Sequence, residues 1–316
     1  MIDVSICSAG IDVSKSKLDV AVYPGGACLR VDYSAEGLVE LDGFLAAHGV
    51  ERIGFEATGG YEWALLLHLR AGVIPAARFQ PVQVKAFARS RLQRAKNDRL
   101  DARLIAAFTA SQPRMPGLPD PAFDGLSGRL TFIEQIEEQT AALKTMLEAA
   151  RDPRIARLHR ADIKRLEKRR AAELRQLAAC LEAVPALAGK LRLITSIPGV
   201  GERTAIALLV RLPEIGSLSR EQAAALAGVA PYDNDSGNRS GKRAIAGGRQ
   251  RLRKSLFMAA FCATRWNPQL AAVYANLRAR GKCHLVAVIA VARKLVILAN
   301  AIAARGTPWQ ERPVMP

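Results

Sequence analysis

The stretch "SICSAGIDVSKSKLDVAVYPGG", residues 5–26, sets two apolar segments on either side of a short lysine-rich turn. Apolar runs of this length bounded by turn residues predict a hairpin of strands near 6–12 and 17–23, with "ACLRVDY" (27–33) as a third strand. Asp12 then falls at the end of the first strand. Working outward, "GLVELDGFLAAHG" (37–49) spaces its apolar residues by three and four and stops on Gly49, which predicts a helix. "RIGFEAT" (52–58) reads as a buried strand with Glu56 near its end, "YEWALLLHLRAG" (61–72) as a helix, "IPAARFQ" (74–80) as a strand and "DRLDARLIAAFTAS" (98–111) as a helix.

The resulting order β-β-β-α-β-α-β-α is the ribonuclease H arrangement, so residues 1–125 are expected to be an α/β domain. Residues 126–185 are expected to be a helical insert, in which "LSGRLTFIEQIEEQTAALKTMLEAA" and "RIARLHRADIKRLEKRRAAELRQLAACLEAV" are two long helical patterns broken at Pro153. Ile163, Leu166, Leu174, Leu177 and Leu181 make an apolar stripe on the second, as in an antiparallel hairpin or a coiled coil. Residues 186–316 read as mainly α-helical and begin with "LITSIPGVGERTAIALLVRL". There Pro198, Gly199 and Gly201 form the turn of a helix-hairpin-helix, whose glycines free backbone N–H groups for a phosphate at the next helix's N-terminus. A plain helix–helix turn would produce the same letters.

Bulk properties narrow the partner. The 316 residues are 50% hydrophobic, enough for ordinary cores, and carry a net charge of +17, which calls for a polyanion. The best membrane candidate, "HLVAVIAVARKLVILANAIAA" (284–304), has Arg293 and Lys294 at its centre, where charge is costly in lipid, so no membrane partner is expected. "MIDVSICSAG" lacks a basic region followed by an apolar core; no signal peptide and a cytoplasmic location are expected. Five scattered cysteines without a Cys-x-x-Cys pair, and four histidines, speak against a disulfide framework or a zinc site.

The charge is concentrated. From Ser236 to Gln310 there are fourteen Lys and Arg residues and no Asp or Glu, and the run includes Arg239, Lys242, Arg243, Arg249, Arg251, Arg253 and Lys254. A solvated basic face would account for a run of four or five; a stretch this long points to phosphate backbone. At its mouth lies "DNDSGNRSGKR" (233–243), with Ser236-Gly237 and Ser240-Gly241. Among the acids, Asp12 and Glu56 fall at positions that neighbour each other in a ribonuclease H sheet, and Asp98 and Asp101, three apart, share one helix face. Each alone reads as a cap or surface charge, and it is the set of four that points further. Four oxygen donors at one sheet edge suit a pair of Mg²⁺ ions, with Mn²⁺ as the substitute, in phosphoryl transfer.

"GIDVSKSKLDVAV", "FEATGGYE", "KNDRLDARLIA", "SIPGVGERTA" and "GVAPYDNDSGNRSGKR…LRKSLFMAA" resemble, in order and nearly end to end, the signatures of the insertion-sequence family one-ten transposases, the DEDD group that includes Piv-like invertases and bridge-RNA-guided recombinases. The resemblance implies an N-terminal domain like the junction resolvase RuvC with Asp12, Glu56, Asp98 and Asp101 as its metal-holding residues. It also implies a catalytic serine at Ser236-Gly237 and a structured noncoding RNA that selects donor and target DNA. The chain departs from the family at Tyr232 and the two aspartates of "APYDNDSG", and at the acid-rich "IEQIEEQ" (133–139), where relatives tend to be basic.

Because no carboxylate lies between Ser236 and Gln310, the serine region cannot build a metal site alone. A composite site is expected, with the carboxylates of the same chain or of another protomer in a dimer or tetramer presenting metal to the phosphate that Ser236 attacks. Ser240 is the rival nucleophile. Two other readings stay open at this stage, a Mg²⁺-dependent junction endonuclease that uses water and a non-catalytic nucleic-acid-binding protein. A bacterial protein acting at the nucleoid is expected.

Overall fold

In the computed structural model, which describes residues 6–91, 98–233, 241 and 243–310, with 98–100 by backbone alone, the first hairpin is β1 (Ser8–Val13) and β2 (Lys17–Tyr23). It is extended by β3 (Cys28–Asp32), and α1 (Ala35–Ala47), β4 (Arg52–Glu56), α2 (Trp63–Ala71), β5 (Ala76–Phe79), α3 (Pro81–Ser90) and α4 (Asp98–Ala110) follow. The chain divides into two compact units, Met1–Asp120 and Pro121–Pro316.

The first unit is one five-stranded sheet in the order β3-β2-β1-β4-β5, antiparallel through β3-β2-β1 and parallel through β1-β4-β5. Strand alternation sorts its two faces. Ala9, Ile11, Val13, Leu18, Val20, Ile53 and Phe55 join Leu41 and Leu45 of α1 and Leu65, Leu66 and Leu69 of α2 in one buried cluster. Side chains one residue out of phase turn to the other face. There the sheet is covered by α4, whose Ala102, Ile105, Ala106 and Thr109 are buried.

Two strand glycines make that second packing close. A Cβ on Gly10 would fall inside the backbone of Ala102 and Ala106 and 2.7 Å from the carbonyl carbon of Ile105; one on Gly54 would overlap the Thr109 hydroxyl and sit 2.5 Å from Phe79. Helix α4 therefore lies directly on the β1 backbone. Helix α3 has no counterpart in the sequence reading; Gln80 starts it with a capping box shared with Gln83, and Pro81 occupies its first turn.

The second unit is helical: α5 (Leu126–Ala149), α6 (Pro153–Glu182), α7 (Pro185–Thr195), α8 (Glu202–Arg211), α9 (Arg220–Leu226), α10 (Gln250–Trp266), α11 (Pro268–Ala279) and α12 (His284–Arg305). A two-residue ladder of β6 (Pro231–Tyr232) and β7 (Ala244–Ile245) precedes α10. Helices α5 and α6 turn at Asp152, whose carboxylate accepts from the Arg154 N–H at 2.7 Å, ahead of Pro153. On α6, Ile163, Leu177 and Leu181 are buried and Leu166 and Leu174 partly so. Leu130 and Ile133 of α5 and Leu177 and Leu181 of α6 belong to the same core cluster as α7, α8, α10 and α12. Helix α12 is long and apolar enough to cross a membrane by length and composition, but its Val288, Val291, Leu295, Val296, Ala299 and Ile302 are the centre of that core.

Replacing Gly10 with Ala must push α4 off β1, and overpacking of this kind costs about 1–3 kcal/mol or more. A urea titration should show that loss for Gly10→Ala, whereas Gly43→Ala on the exposed side of α1, where a Cβ meets nothing, should be neutral or stabilising by up to about 1 kcal/mol.

Candidate active site

Asp12 and Glu56 are brought together by register. Ile11 of β1 pairs with Phe55 of the parallel neighbour β4, so Asp12 and Glu56 are the next residues at the same edge and share the α4 side with Gly10 and Gly54. The close approach at Gly10 sets the N-terminal turn of α4 beside them, and Asp101 is adjacent in sequence to Ala102, which packs on Gly10. Glu56 senses this arrangement. Burial pushes its carboxyl above the ordinary glutamate range, the Asp101 charge adds to the rise, and Lys85 of α3 opposes it. Asp98 opens α4, and its side chain lies outside the described residues. Among the described residues no group of three or more Asp, Glu, His or Cys side chains closes into a metal-binding cluster.

The donor set nonetheless fits a hard divalent cation. All of it is carboxylate oxygen, and the mutual repulsion of Glu56 and Asp101 is what a bound cation relieves. Two groups at this edge escaped the sequence reading. Asp19 is the cross-strand partner of Asp12, is 5% exposed, and is held by Arg30 through Nε–Oδ1 and Nη2–Oδ2 bonds of 2.8 and 2.9 Å. Its mirror position about the hairpin turn in "IDVSKSKLD" was the available signal. Lys85, exposed on α3, is the other.

The loop that leaves Glu56 is organised from within. The buried Glu62 carboxylate accepts from the Thr58 N–H, the Thr58 hydroxyl and the Gly60 N–H at 3.2, 3.1 and 2.8 Å, and faces Arg78 at 3.7 Å. Burial alone would raise its pKa; the hydrogen bonds outweigh that and hold it below the usual glutamate range.

In the second unit, Ser236, Gly237, Arg239, Ser240 and Lys242 lie outside the described residues. Their flanks do not. The β6–β7 ladder pairs Pro231 with Ile245 and Tyr232 with Ala244, and Arg243 forms an ion pair with Asp233 across it. Below the ladder, Arg253 donates to the carbonyls of Gly228 and Gly247 at 3.2 and 3.1 Å, and Arg249 grips Glu214 through two bonds of 2.7 and 2.6 Å. Gly248, at φ +68, lets this neck close, since a Cβ there would overlap the Gly228 backbone.

Arg251 reaches Glu134 on α5 at 2.6 Å, where Arg211 also binds at 2.9 Å, while Glu137 takes Arg203 and Arg170 at 3.0 and 2.8 Å. Burial pushes Glu137 upward, but the two guanidiniums win and hold it low. The acids of "IEQIEEQ" are thus internal partners of basic residues on α6, α8 and α10. Arg249, Arg251 and Arg253 have their guanidiniums engaged by partners in the same unit, although the Arg251 side chain is still 47% exposed; Arg243 and Lys254 (3.6 Å from Glu138) are exposed as well.

The α7–α8 turn packs inward at Gly199, at φ +93, where a Cβ would come 2.7 Å from Ala263 of α10. The Pro198 carbonyl accepts from Asn267 at 3.3 Å. Gly201 and Glu202 are its exposed residues.

A family model described as the transposase IS116/IS110/IS902 family matches residues 191–275, and a transposase model of the DEDD, IS110 type matches residues 9–152. The pilin gene-inverting protein of Moraxella lacunata is 27% identical over 329 residues, covering 96% of this chain and 97% of the relative, and that of Moraxella bovis is equally similar. An insertion element IS110 uncharacterized 43.6 kDa protein of Streptomyces coelicolor is 36% identical over 148 residues, 46% of this chain and 35% of its own length. Among solved structures, T. thermophilus RuvC in complex with Holliday junction substrate aligns at 17% identity with a TM-score of 0.27, over 32% of this chain and 90% of that one.

A carboxyl whose folded pKa is raised binds its proton more tightly in the native state, so stability is lost as pH rises from the ordinary glutamate value through the raised one. Metal-free Glu56→Gln should therefore melt higher than the wild type at neutral pH, and the gap should vanish on acidification below the ordinary glutamate value. Arg249→Ala should lower stability in urea by about 2 kcal/mol, the scale of charge-assisted hydrogen bonds.

Proposed function

The chain belongs to the IS110 family of transposases, and from that premise we propose that it cleaves and rejoins DNA through a covalent phosphoserine at Ser236, assisted by Mg²⁺ held by Asp12, Glu56, Asp98 and Asp101. The observation that supports this reading most is the strand register that sets Asp12 beside Glu56, with Asp101 acting on the Glu56 carboxyl. When bound, two Mg²⁺ ions, or Mn²⁺ in their stead, supply charge stabilisation for the scissile phosphate and the leaving oxygen.

This chain's own residues do the rest. Ser236 Oγ loses its proton and bonds to phosphorus, the bond from phosphorus to one strand's oxygen breaks, and that oxygen takes up a proton. Rejoining reverses the exchange: a hydroxyl of a new strand bonds to phosphorus and the serine leaves with a proton. The Pro231–Ile245 ladder and the Arg249–Glu214 and Arg253 contacts fix where the serine strip begins and ends. Gly237 admits the DNA backbone, and Arg239, Lys242, Arg243, Arg249, Arg251, Arg253 and Lys254 neutralise phosphate, with Arg249, Arg251 and Arg253 also bracing the frame beneath.

In the same reading residues 1–125 are the RuvC-like domain, 126–185 a coiled-coil insert and 186–316 the transposase domain. The turn at Pro198, Gly199 and Gly201 makes a helix-hairpin-helix contact through its exposed glycine. A structured noncoding bridge RNA selects donor and target DNA, and protomers in a dimer or tetramer, working in the bacterial cytoplasm, share sites between their two kinds of domain.

Ser236→Ala should eliminate the protein–DNA adduct on a suicide substrate and leave the melting temperature near that of the wild type, while Ser240→Ala keeps the adduct. DNA attached to Ser240 would move the nucleophile, and cleavage without either serine would return the reaction to water. Asp12→Ala or Asp101→Ala should lower cleavage about 100-fold or more, since the charge stabilisation they hold contributes several kcal/mol. Full recombination by either variant would remove the carboxylate site.

A further inference from the structure

At the far end of α10 from the serine strip, three rings meet on the surface. Phe261 of α10 and His284, the first residue of α12, stand edge to face with centroids 6.1 Å apart; Tyr274 of α11 and His284 do the same at 5.8 Å. The Tyr274 hydroxyl and His284 Nδ1 are hydrogen-bonded at 2.7 Å, which fixes both rings against each other. Phe261 is only half-buried and His284 is exposed. Cations frame the cluster. The Arg265 guanidinium lies 5.2 Å above the Phe261 ring, and Arg278, one helical turn beyond Tyr274, donates to the Lys282 carbonyl at 2.7 Å and so shapes the α11–α12 turn. Trp266 beside Arg265 is 73% exposed, and Leu285 beside His284 is 61% exposed.

Such a surface needs an occupant that is anionic along its length and offers flat faces. No carboxylate occurs from Ser236 to Gln310, so nothing in this part of the chain repels phosphate. Aromatic rings and an arginine plane stack on nucleobases only where the bases are unpaired, because a duplex keeps its ring faces to itself. We propose that the Phe261, Tyr274 and His284 cluster, with Arg265 and Arg278 at its sides, is a docking surface for an unpaired segment of DNA strand. The inference rests on DNA being the substrate, as argued above, but not on the serine step. Strand exchange necessarily opens base pairs, and this surface holds a strand once it is free.

The test uses the full-length protein in EDTA, so that cleavage plays no part. Fluorescence anisotropy would follow binding of a labelled oligothymidylate of about 20 nucleotides, a duplex of the same length and an oligouridylate. Phe261→Ala and His284→Ala should each weaken oligothymidylate binding about tenfold and leave duplex binding within about twofold, while Phe261→Trp keeps wild-type affinity. Ultraviolet cross-linking of an iododeoxyuridine strand should attach it to peptides containing Phe261, Tyr274 or His284. Equal losses on single strand and duplex, unchanged binding, or a loss confined to oligouridylate would overturn the proposal. Should Phe261→Ala melt early, the exposed Arg265→Gln and His284→Ala decide the matter by the same criterion.

Discussion

A helix resting on bare strand backbone underlies the first unit. Because Gly10 and Gly54 present no side chain, α4 settles onto β1 with its carbonyls and amides against the strand and seats the Thr109 side chain on the β4 backbone. That contact also decides where the helix begins relative to the strand ends. Asp101 arrives near Glu56 because Ala102 can touch Gly10, so the spacing of the acids is a by-product of packing. Glu56 and Asp101 repel each other there, in a fold stable enough to bear it. Asp19, next door, is locked to Arg30.

The second unit uses its carboxylates in the opposite sense. Glu134, Glu137 and Glu214 are partly or largely buried, and each is matched to arginines from helices distant in sequence. Glu137 and Glu214 are held below their ordinary range despite burial, so their contribution is present above the ordinary glutamate pKa and lost as pH falls. Acid therefore weakens the helical unit through these pairs, while it relieves the strain at Glu56.

Much of the α/β unit was legible because its signals are local. Apolar runs on either side of the lysine-rich turn in 8–23 marked the hairpin, and Asp12 and Glu56 fell at strand ends because each strand is short. Helix α3 was not read: it is only ten residues long, and Val84 is its one buried residue while Val82 is exposed. The destination of the arginines was hidden for another reason. Arg251 and Glu134 are 117 residues apart, and neither sequence neighbourhood names the other. A zero count of acids in 236–310 correctly marked a basic region but said nothing of which cations face inward. The same holds at Gly199, where the letters fit a phosphate turn and the structure gives the residue a packing contact with Ala263.

The inward-facing ion pairs separate two responses to ionic strength. Mobile ions screen charges on the surface over roughly 8 Å at physiological salt, and they dissociate nucleic acid by restoring the counterions that binding had released. Arg211 on Glu134, with side chains 13% and 10% exposed, is largely out of their reach. A concentrated salt wash can thus strip bound polynucleotide from the exposed cations while the helical framework stays assembled. The charges that hold this protein together and the charges available to hold its partner are, to that extent, different populations.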